Sequence, residues 1–275
     1  MGKITEALKK VSSERISRIQ KKPEVHYVVR KVKNSNIEDH IAAFHDPVSP
    51  IAEQYKILRT NLQTLKANKN CKVFVLTSSI SKEGKTVTSV NLAITLAHGL
   101  NSKSVLLIDA DMRKGKMSQY LGIERSPGLS ELLQDKVEID SVLVSPTIEN
   151  LNVIPAGRVP KNPSELLSSR KMQQLLAIFK NKFDYVLIDA PPVLNLTDAA
   201  ILGSRADGVI MVIQAGRTQR EAVKQSENLL AQAHAKTLGY VMTHIEYHLP
   251  QYLYRYVHHY GDYKYEHEQE LVAGG

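Results

Sequence analysis

Lys72-Val-Phe-Val-Leu-Thr-Ser-Ser-Ile-Ser-Lys-Glu-Gly-Lys-Thr86 runs from an apolar stretch into a small-residue turn, and Val87-Thr-Ser-Val-Asn-Leu-Ala-Ile-Thr-Leu-Ala97 follows at helical spacing. The order predicts a strand, a phosphate loop and a helix. Small residues let successive backbone N–H groups turn inward toward an anion. The helix N-terminus behind them adds free donors and partial positive charge. A lysine must reach the β/γ phosphates and a hydroxyl must serve Mg²⁺. Gly84, Lys85 and Thr86 supply that core, with Ser79 where the usual pattern begins on glycine. The nucleotide-binding candidates are Ser79, Ser81, Lys82, Glu83, Gly84, Lys85, Thr86 and Val87. The plainer alternative is a strand-to-helix turn of an unrelated α/β protein. The strand before the turn and the helical spacing after it weigh against that.

Two further apolar runs end in carboxylates. Ser104-Val-Leu-Leu-Ile108 leads into Asp109-Ala-Asp111, and Phe183-Asp-Tyr-Val-Leu-Ile188 leads into Asp189-Ala-Pro-Pro192. Runs apolar on both faces are the mark of buried parallel strands. A carboxylate at the end of such a strand lies beside the ligand crevice of an open α/β sheet. Mg²⁺ takes one or two carboxylates and completes its shell with water and phosphate oxygens. Asp189 suits a metal-bound water. Of Asp109 and Asp111, one can serve the metal while the other accepts a proton from an attacking hydroxyl. A lone aspartate at a strand end is most simply a turn residue. Three of them beside a phosphate loop point to a Mg²⁺–nucleotide site.

Strands are expected at 72–77, 104–108, 151–154, 184–188, 208–213 and 238–243. Helices are expected from Pro50 to about residue 66 and at 85–99, 129–134, 163–180, 197–204 and 218–234. Such alternation predicts an α/β fold with a predominantly parallel sheet flanked by helices. Ser49 is the expected N-cap of the first helix, with Pro50 in its first turn. The expected organisation is a flexible basic leader and linker over 1–47, a nucleotide-binding domain over 48–246, and a tyrosine-rich flexible tail over 247–275.

The 275 residues carry a formal net charge of +8. Residues 1–33 hold ten Lys/Arg against three Glu and so account for nearly all of it. Such an arm can meet anionic lipid, nucleic acid or an acidic partner, or simply be solvated. Ile4, Leu8, Val11 and Ile19 lie roughly along one helical face. No apolar run approaches the ~20 residues of a membrane span. A single Cys71 allows no intrachain disulfide and fits a reducing cytoplasm. Seven of the twelve tyrosines fall between Tyr247 and Tyr265, interleaved with His, Arg, Lys, Glu and Asp. Hydroxyl-bearing rings among charges suit an exposed segment rather than a core. An interaction surface, base stacking on single-stranded nucleic acid and a membrane-interface belt are the general readings.

Together these features resemble the bacterial tyrosine kinases of capsule and exopolysaccharide loci, the BY-kinases. The resemblance covers about residues 47–265. It rests on Thr77-Ser-Ser-Ile-Ser-Lys-Glu-Gly-Lys-Thr86 with Asn91-Leu-Ala93, on Leu106-Leu-Ile-Asp-Ala-Asp-Met-Arg113, on Tyr185-Val-Leu-Ile-Asp-Ala-Pro-Pro192, and on the tyrosine cluster. Glu53-Gln-Tyr-Lys-Ile-Leu-Arg59 resembles the family's Glu-x-x-Arg-x-x-Arg helix, which lies between subunits. Lys56 stands at the middle arginine and lacks its planar fork.

The resemblance implies a P-loop ATPase fold and an ATP- and Mg²⁺-dependent protein-tyrosine kinase. Lys85 and the loop amides would bind the phosphates. Thr86, Asp109 and Asp189 would serve Mg²⁺, and Lys85, Asp109 and Asp111 would be catalytic, with Asp111 favoured as the base. Tyr252, Tyr254, Tyr256, Tyr260, Tyr263 and Tyr265 would be phosphorylated in trans. Glu53, Lys56 and Arg59 would line a homo-oligomer interface, in a ring or otherwise. The activator would be a separate membrane-embedded polysaccharide co-polymerase, holding the kinase at the inner face of the membrane. Other protein substrates are expected, and specific nucleic acid is not. Division-site and plasmid-partition ATPases of the same wider group are the alternative: positioning ATPases that dimerise on membrane or DNA. Their signature lysine falls at Ile80 here.

Overall fold

The computed structural model describes residues 29–31, 36–99 and 103–245. Most of the basic leader and the whole tyrosine cluster from Tyr247 to Tyr265 lie outside the described residues. Eight strands are described: β1 (Arg30–Lys31), β2 (Val73–Ser78), β3 (Val105–Asp109), β4 (Val144–Ser145), β5 (Leu151–Ile154), β6 (Tyr185–Asp189), β7 (Gly208–Gln214) and β8 (Thr237–Thr243). They form one sheet in the order β1-β4-β5-β3-β6-β2-β7-β8. Every pairing is parallel except β4 with β5. The expected strands are all present within a residue. The two-residue strands β1 and β4 were not expected, because two residues carry no periodicity to read.

The runs over β2, β3 and β6 are fully buried because helices cover both sides of the sheet. Val73, Val75, Leu106, Ile108, Val186 and Ile188 face one layer. It includes α5 (Leu129–Leu133), α8 (Arg170–Lys182), α9 (Asp198–Gly203) and α10 (Arg220–Gln232). Phe74, Leu76, Val105, Leu107, Tyr185 and Leu187 face the other layer. It includes α1 (Ala42–His45), α2 (Pro50–Lys69) and α3 (Lys85–Ala97). Alternate residues of each strand serve opposite cores, as the two-residue period requires.

α2 starts where the sequence indicated. The Ser49 hydroxyl accepts from the Ala52 N–H at 3.2 Å, with Pro50 in the first turn. It runs three residues past the expected end and stops at Asn70, which takes the left-handed conformation of a helix stop at φ 50°. The helix expected over 163–180 is two, α7 (Pro163–Ser168) and α8. Ser169 is extended between them, and its hydroxyl caps α8 through the Met172 N–H. The short helices α4 (Met117–Tyr120) and α6 (Ile139–Val142) complete the set.

Residues 36–47, expected as linker, pack onto the body. Ile37, Ile41 and Ala43 are buried, and the Ala43 N–H donates to Asn91 Oδ1 of α3 at 2.8 Å. The packed domain therefore begins ahead of the expected boundary at 47/48.

Candidate active site

The strand order places β3, β6 and β2 side by side, so the segments that follow them meet at one edge. Leu76 pairs with Asp189, and Asp189 with Asp109, across that edge. The loop from Ser79 to Gly84 leaves β2 there and opens α3. Gly84 has φ 86°, and an added Cβ would meet Thr243 Cγ2 at 3.3 Å, so a side chain there is strained and crowded. Gly84 is also the N-cap of α3 and offers no side-chain cap. Among the described residues, the backbone N–H groups of Ser81 to Val87 have no protein acceptor. Seven consecutive free donors at a helix N-terminus form an anion cradle.

Lys85 Nζ lies 3.4 Å from Asp111 Oδ2 and 3.5 Å from Asp189 Oδ2. Thr86 Oγ1 donates to Asp189 Oδ2 at 2.7 Å, and Ser89 Oγ to Asp189 Oδ1 at 3.2 Å. Burial opposes the Lys85 charge, but Asp189, Asp111 and Asp109 outweigh it and raise its pKa. Burial pushes Asp109 up to about 8, aided by Asp189 and opposed by Lys85. Asp189 is raised as well, by burial against the pull of Lys85 and the Thr86 hydroxyl. Buried carboxyls around one ammonium cannot all ionise cheaply.

Asp109 and Asp111 take different positions. Asp109 is fully buried, and its oxygens accept from the Asp111 N–H at 3.1 Å and the Met117 N–H at 3.3 Å. Gly115 closes over it: a Cβ there would stand 2.4 Å from Asp109 Oδ2. Asp111 is 7% exposed, at the mouth, with one oxygen toward Lys85 and the other accepting from the Lys114 N–H at 2.9 Å.

Other candidates sit differently from what a motif suggests. The Glu83 carboxylate is buried and turned out of the loop. It accepts from the Ile80 N–H at 2.8 Å, from the Gln214 N–H at 3.4 Å and from the Thr218 hydroxyl. Its side chain therefore staples the loop to the end of β7, and only its backbone N–H remains toward an anion. Lys82 has φ 67°, and Arg217 donates to its carbonyl at 2.9 Å. Arg59 of α2 donates to the Thr95 carbonyl of α3 at 3.1 Å, while Lys56 pairs with Glu53 at 2.6 Å. Ser89, Thr218 and Arg217 were missed by the motif. Ser89 alone had a local signal, one helical turn beyond Lys85.

The residues fit a Mg²⁺–nucleotide. Free amides and Lys85 suit the phosphates, and Thr86 and Asp189 already stand together as metal-side oxygens. Among the described residues no group of three or more His, Cys, Asp or Glu could hold an ion by themselves. A dication held by Thr86 and Asp189 would need its remaining ligands from phosphate and water, as Mg²⁺ prefers.

The AAA domain family model matches residues 71–239. Tyrosine-protein kinase YwqD of Bacillus subtilis (strain 168) is 36% identical over 214 residues, 78% of this chain and 90% of that protein. The putative tyrosine-protein kinase EpsB of Ralstonia nicotianae is 38% identical over 82% of this chain, which spans 30% of that longer protein. Among solved structures, the kinase domain of Escherichia coli tyrosine kinase ETK superposes with a TM-score of 0.75 at 29% identity, covering 85% of this chain and 88% of that one. Such agreement across nearly the whole of one tyrosine-protein kinase, on a fold shared with another, settles the family: this chain belongs to the bacterial tyrosine kinases of capsule and exopolysaccharide loci, the BY-kinases, within the P-loop ATPases.

Proposed function

We propose that this chain uses ATP to phosphorylate the tyrosines of its own carboxyl-terminal cluster in trans, and that this controls capsule or exopolysaccharide synthesis and export. The observation that carries the reading is the Lys85 ammonium, held between Asp111 and Asp189 at the open N-terminus of α3. The amides of Ser81 to Val87 receive the phosphates of the nucleotide substrate. Lys85 turns from the carboxylates toward the β/γ oxygens. Mg²⁺, when bound, would offset charge on the terminal phosphates, and Thr86 and Asp189 are the residues that would hold it, backed by Asp109.

Tyrosine is a poor nucleophile near neutral pH, with a pKa of about 10. Asp111 is the carboxylate at the mouth, so it is the one an incoming phenol can reach. It takes the proton as the new bond forms. Asp109 accepts from the Asp111 and Met117 N–H groups, fixes the 109–117 turn and thereby aims Asp111.

Glu53, Lys56 and Arg59 with the exposed Ile51 and Ile57 mark α2 as the surface that brings a second copy's tail to this site. The activator is a separate membrane-embedded chain that holds the kinase at the inner face of the membrane. Among the described residues no helix is long and apolar enough to cross a membrane.

Incubation with Mg²⁺ and ATP followed by phosphopeptide mapping tests the reading. Phosphotyrosine between Tyr247 and Tyr265 is expected, and Lys85→Met should cut it by at least about 10²-fold. ADP release with no modified peptide would overturn the proposal in favour of a positioning ATPase.

A further inference from the structure

We infer that the loops after β3 and β5 form a basic docking rim for the acidic end of a second copy's tail, residues 262–270. That rim selects Tyr263 and Tyr265 as the first acceptors. The inference rests on the kinase reading above and adds to it a substrate-binding surface and an order of modification.

Residues 112–116 are Met-Arg-Lys-Gly-Lys and residues 157–162 are Gly-Arg-Val-Pro-Lys-Asn. They hold five cations and no acid: Arg113, Lys114, Lys116, Arg158 and Lys161, all exposed. Arg113 turns inward, 3.8 Å from the buried Asp198 carboxylate. Among the described residues, the side chains of Lys114, Lys116, Arg158 and Lys161 have no carboxylate within 4.0 Å.

The nearby acids are engaged elsewhere. Glu131 accepts from the N–H groups of Gly128 and Arg158 and from the Ser126 and Ser130 hydroxyls. Glu165 accepts from Asn162, and Asp111 faces Lys85. Four unpaired cations on one rim are a strong local source of positive potential.

The two loops are fixed to each other. Arg125 donates through Nε to the Gly157 carbonyl at 2.9 Å and through Nη2 to the Met112 carbonyl at 3.0 Å. The Gly157 N–H returns a bond to the Arg125 carbonyl at 2.9 Å. The cations therefore stand on a tied scaffold rather than on independent loops, which lowers the cost of ordering them around a ligand. The Lys114 N–H bond to Asp111 sets this rim directly against the proposed base.

The chain itself supplies a matching segment. Residues 262–270 read Asp-Tyr-Lys-Tyr-Glu-His-Glu-Gln-Glu, four acids against one lysine, and enclose Tyr263 and Tyr265. Tyr252, Tyr254 and Tyr256 instead surround Arg255, and no acid occurs from His248 to Gly261. In an extended bound peptide, Glu266, Glu268 and Glu270 share one side and span roughly 13 Å. With Tyr265 at Asp111, the acidic stretch that follows it runs past the rim, where long Lys and Arg side chains can reach carboxylates flanking the bound chain.

The test uses full-length chains in two roles. The acceptor carries Lys85→Met, so it receives phosphate and transfers none. The donor carries Phe at Tyr252, Tyr254, Tyr256, Tyr260, Tyr263 and Tyr265. Initial rates at each acceptor tyrosine are read by mass spectrometry.

Tyr263 and Tyr265 should be modified ahead of Tyr252, Tyr254 and Tyr256. Arg158→Glu with Lys161→Glu on the donor should raise the acceptor KM about tenfold, while kcat and acceptor-free ATP hydrolysis hold. Glu266→Lys, Glu268→Lys and Glu270→Lys on the acceptor should do the same, and combining the two reversed partners should restore the rate. The preference should shrink as salt rises. Unchanged KM on donor reversal, with the native pair still active, overturns the rim and leaves the kinase reading standing. No phosphotyrosine from the native pair overturns both.

Discussion

At the residue scale, the site is a contest for protons among three carboxyls and one lysine. Asp109 lies deepest, and burial beside Asp189 pushes it up to about 8. An unfolded aspartate titrates near about 4. Between these values the folded chain holds a proton that the unfolded chain has released. The group's contribution to stability is therefore complete below about pH 4 and is lost as pH rises through about 8. Asp109→Asn keeps an acceptor oxygen for the Asp111 or Met117 N–H and carries no charge. Without nucleotide, that variant should show a flatter dependence of Tm on pH from about 5 to about 9, and should outlast the native chain at the alkaline end. Parallel melting curves for the two proteins would refute the burial argument. Asp111→Asn should behave differently, because Asp111 is at the mouth. Its kcat should fall about 10²- to 10⁴-fold with little change in nucleotide affinity. A kcat within a few-fold of native removes Asp111 as the base.

At the element scale, the sheet edge that carries the loops depends on how its opposite edge is anchored. Asp207 enters β7 and accepts from the Lys72 N–H at 2.8 Å and the Val73 N–H at 2.9 Å, at the start of β2. It also pairs with Lys180 of α8 at 2.5 Å. Burial alone would raise its pKa, but Lys180 and the two N–H groups hold it below the usual carboxylate range. A depressed carboxylate stabilises above its unfolded pKa and loses that contribution as pH falls through the folded one. Asp207→Asn should therefore cost about 1.5–3 kcal/mol in urea unfolding at neutral pH, and less near about pH 3. An equal loss at both pH values would show that the charge is irrelevant. Such anchors explain what the sequence could and could not reveal. The strands were readable because burial on both faces leaves continuous apolar runs, and Gly84-Lys-Thr86 was readable because its spacing is local. The stapling role of the Glu83 side chain was not readable, because a motif does not separate a backbone donor from its side chain. Thr218, Arg217 and Arg125 act on partners far away in sequence, and no local pattern announces that. Ser169 divides a helical run by capping its second half, a choice the apolar period alone does not register.

At the scale of the whole molecule, the proposed reaction alters the charge that governs assembly. The chain is formally +8. Each phosphotyrosine adds about −1.5 to −2, so six of them bring about −9 to −12 and reverse the sign of the whole chain. In the proposed reaction, unmodified tails would carry phenols into a neighbour's site, where Asp111 would accept a proton. Modified tails would meet the same carboxylate as like charge, and a desolvated like-charge contact is costly. The α2 face has limited means to resist that repulsion. Arg59 is occupied with the Thr95 carbonyl and Lys56 with Glu53, which leaves Ile51 and Ile57 as its exposed apolar surface, with Val48 exposed just ahead of the helix. Apolar contact of this kind holds an assembly but does not offset accumulated charge. Unmodified chains should therefore associate, and ATP should disperse them as the tail fills. Light scattering before and after incubation with Mg²⁺ and ATP measures this directly. Lys85→Met should stay assembled throughout, and added salt should blunt the dispersal by screening. An unchanged mass with the tail fully phosphorylated would separate the chemistry from assembly, and would leave the tyrosines as docking sites for another protein.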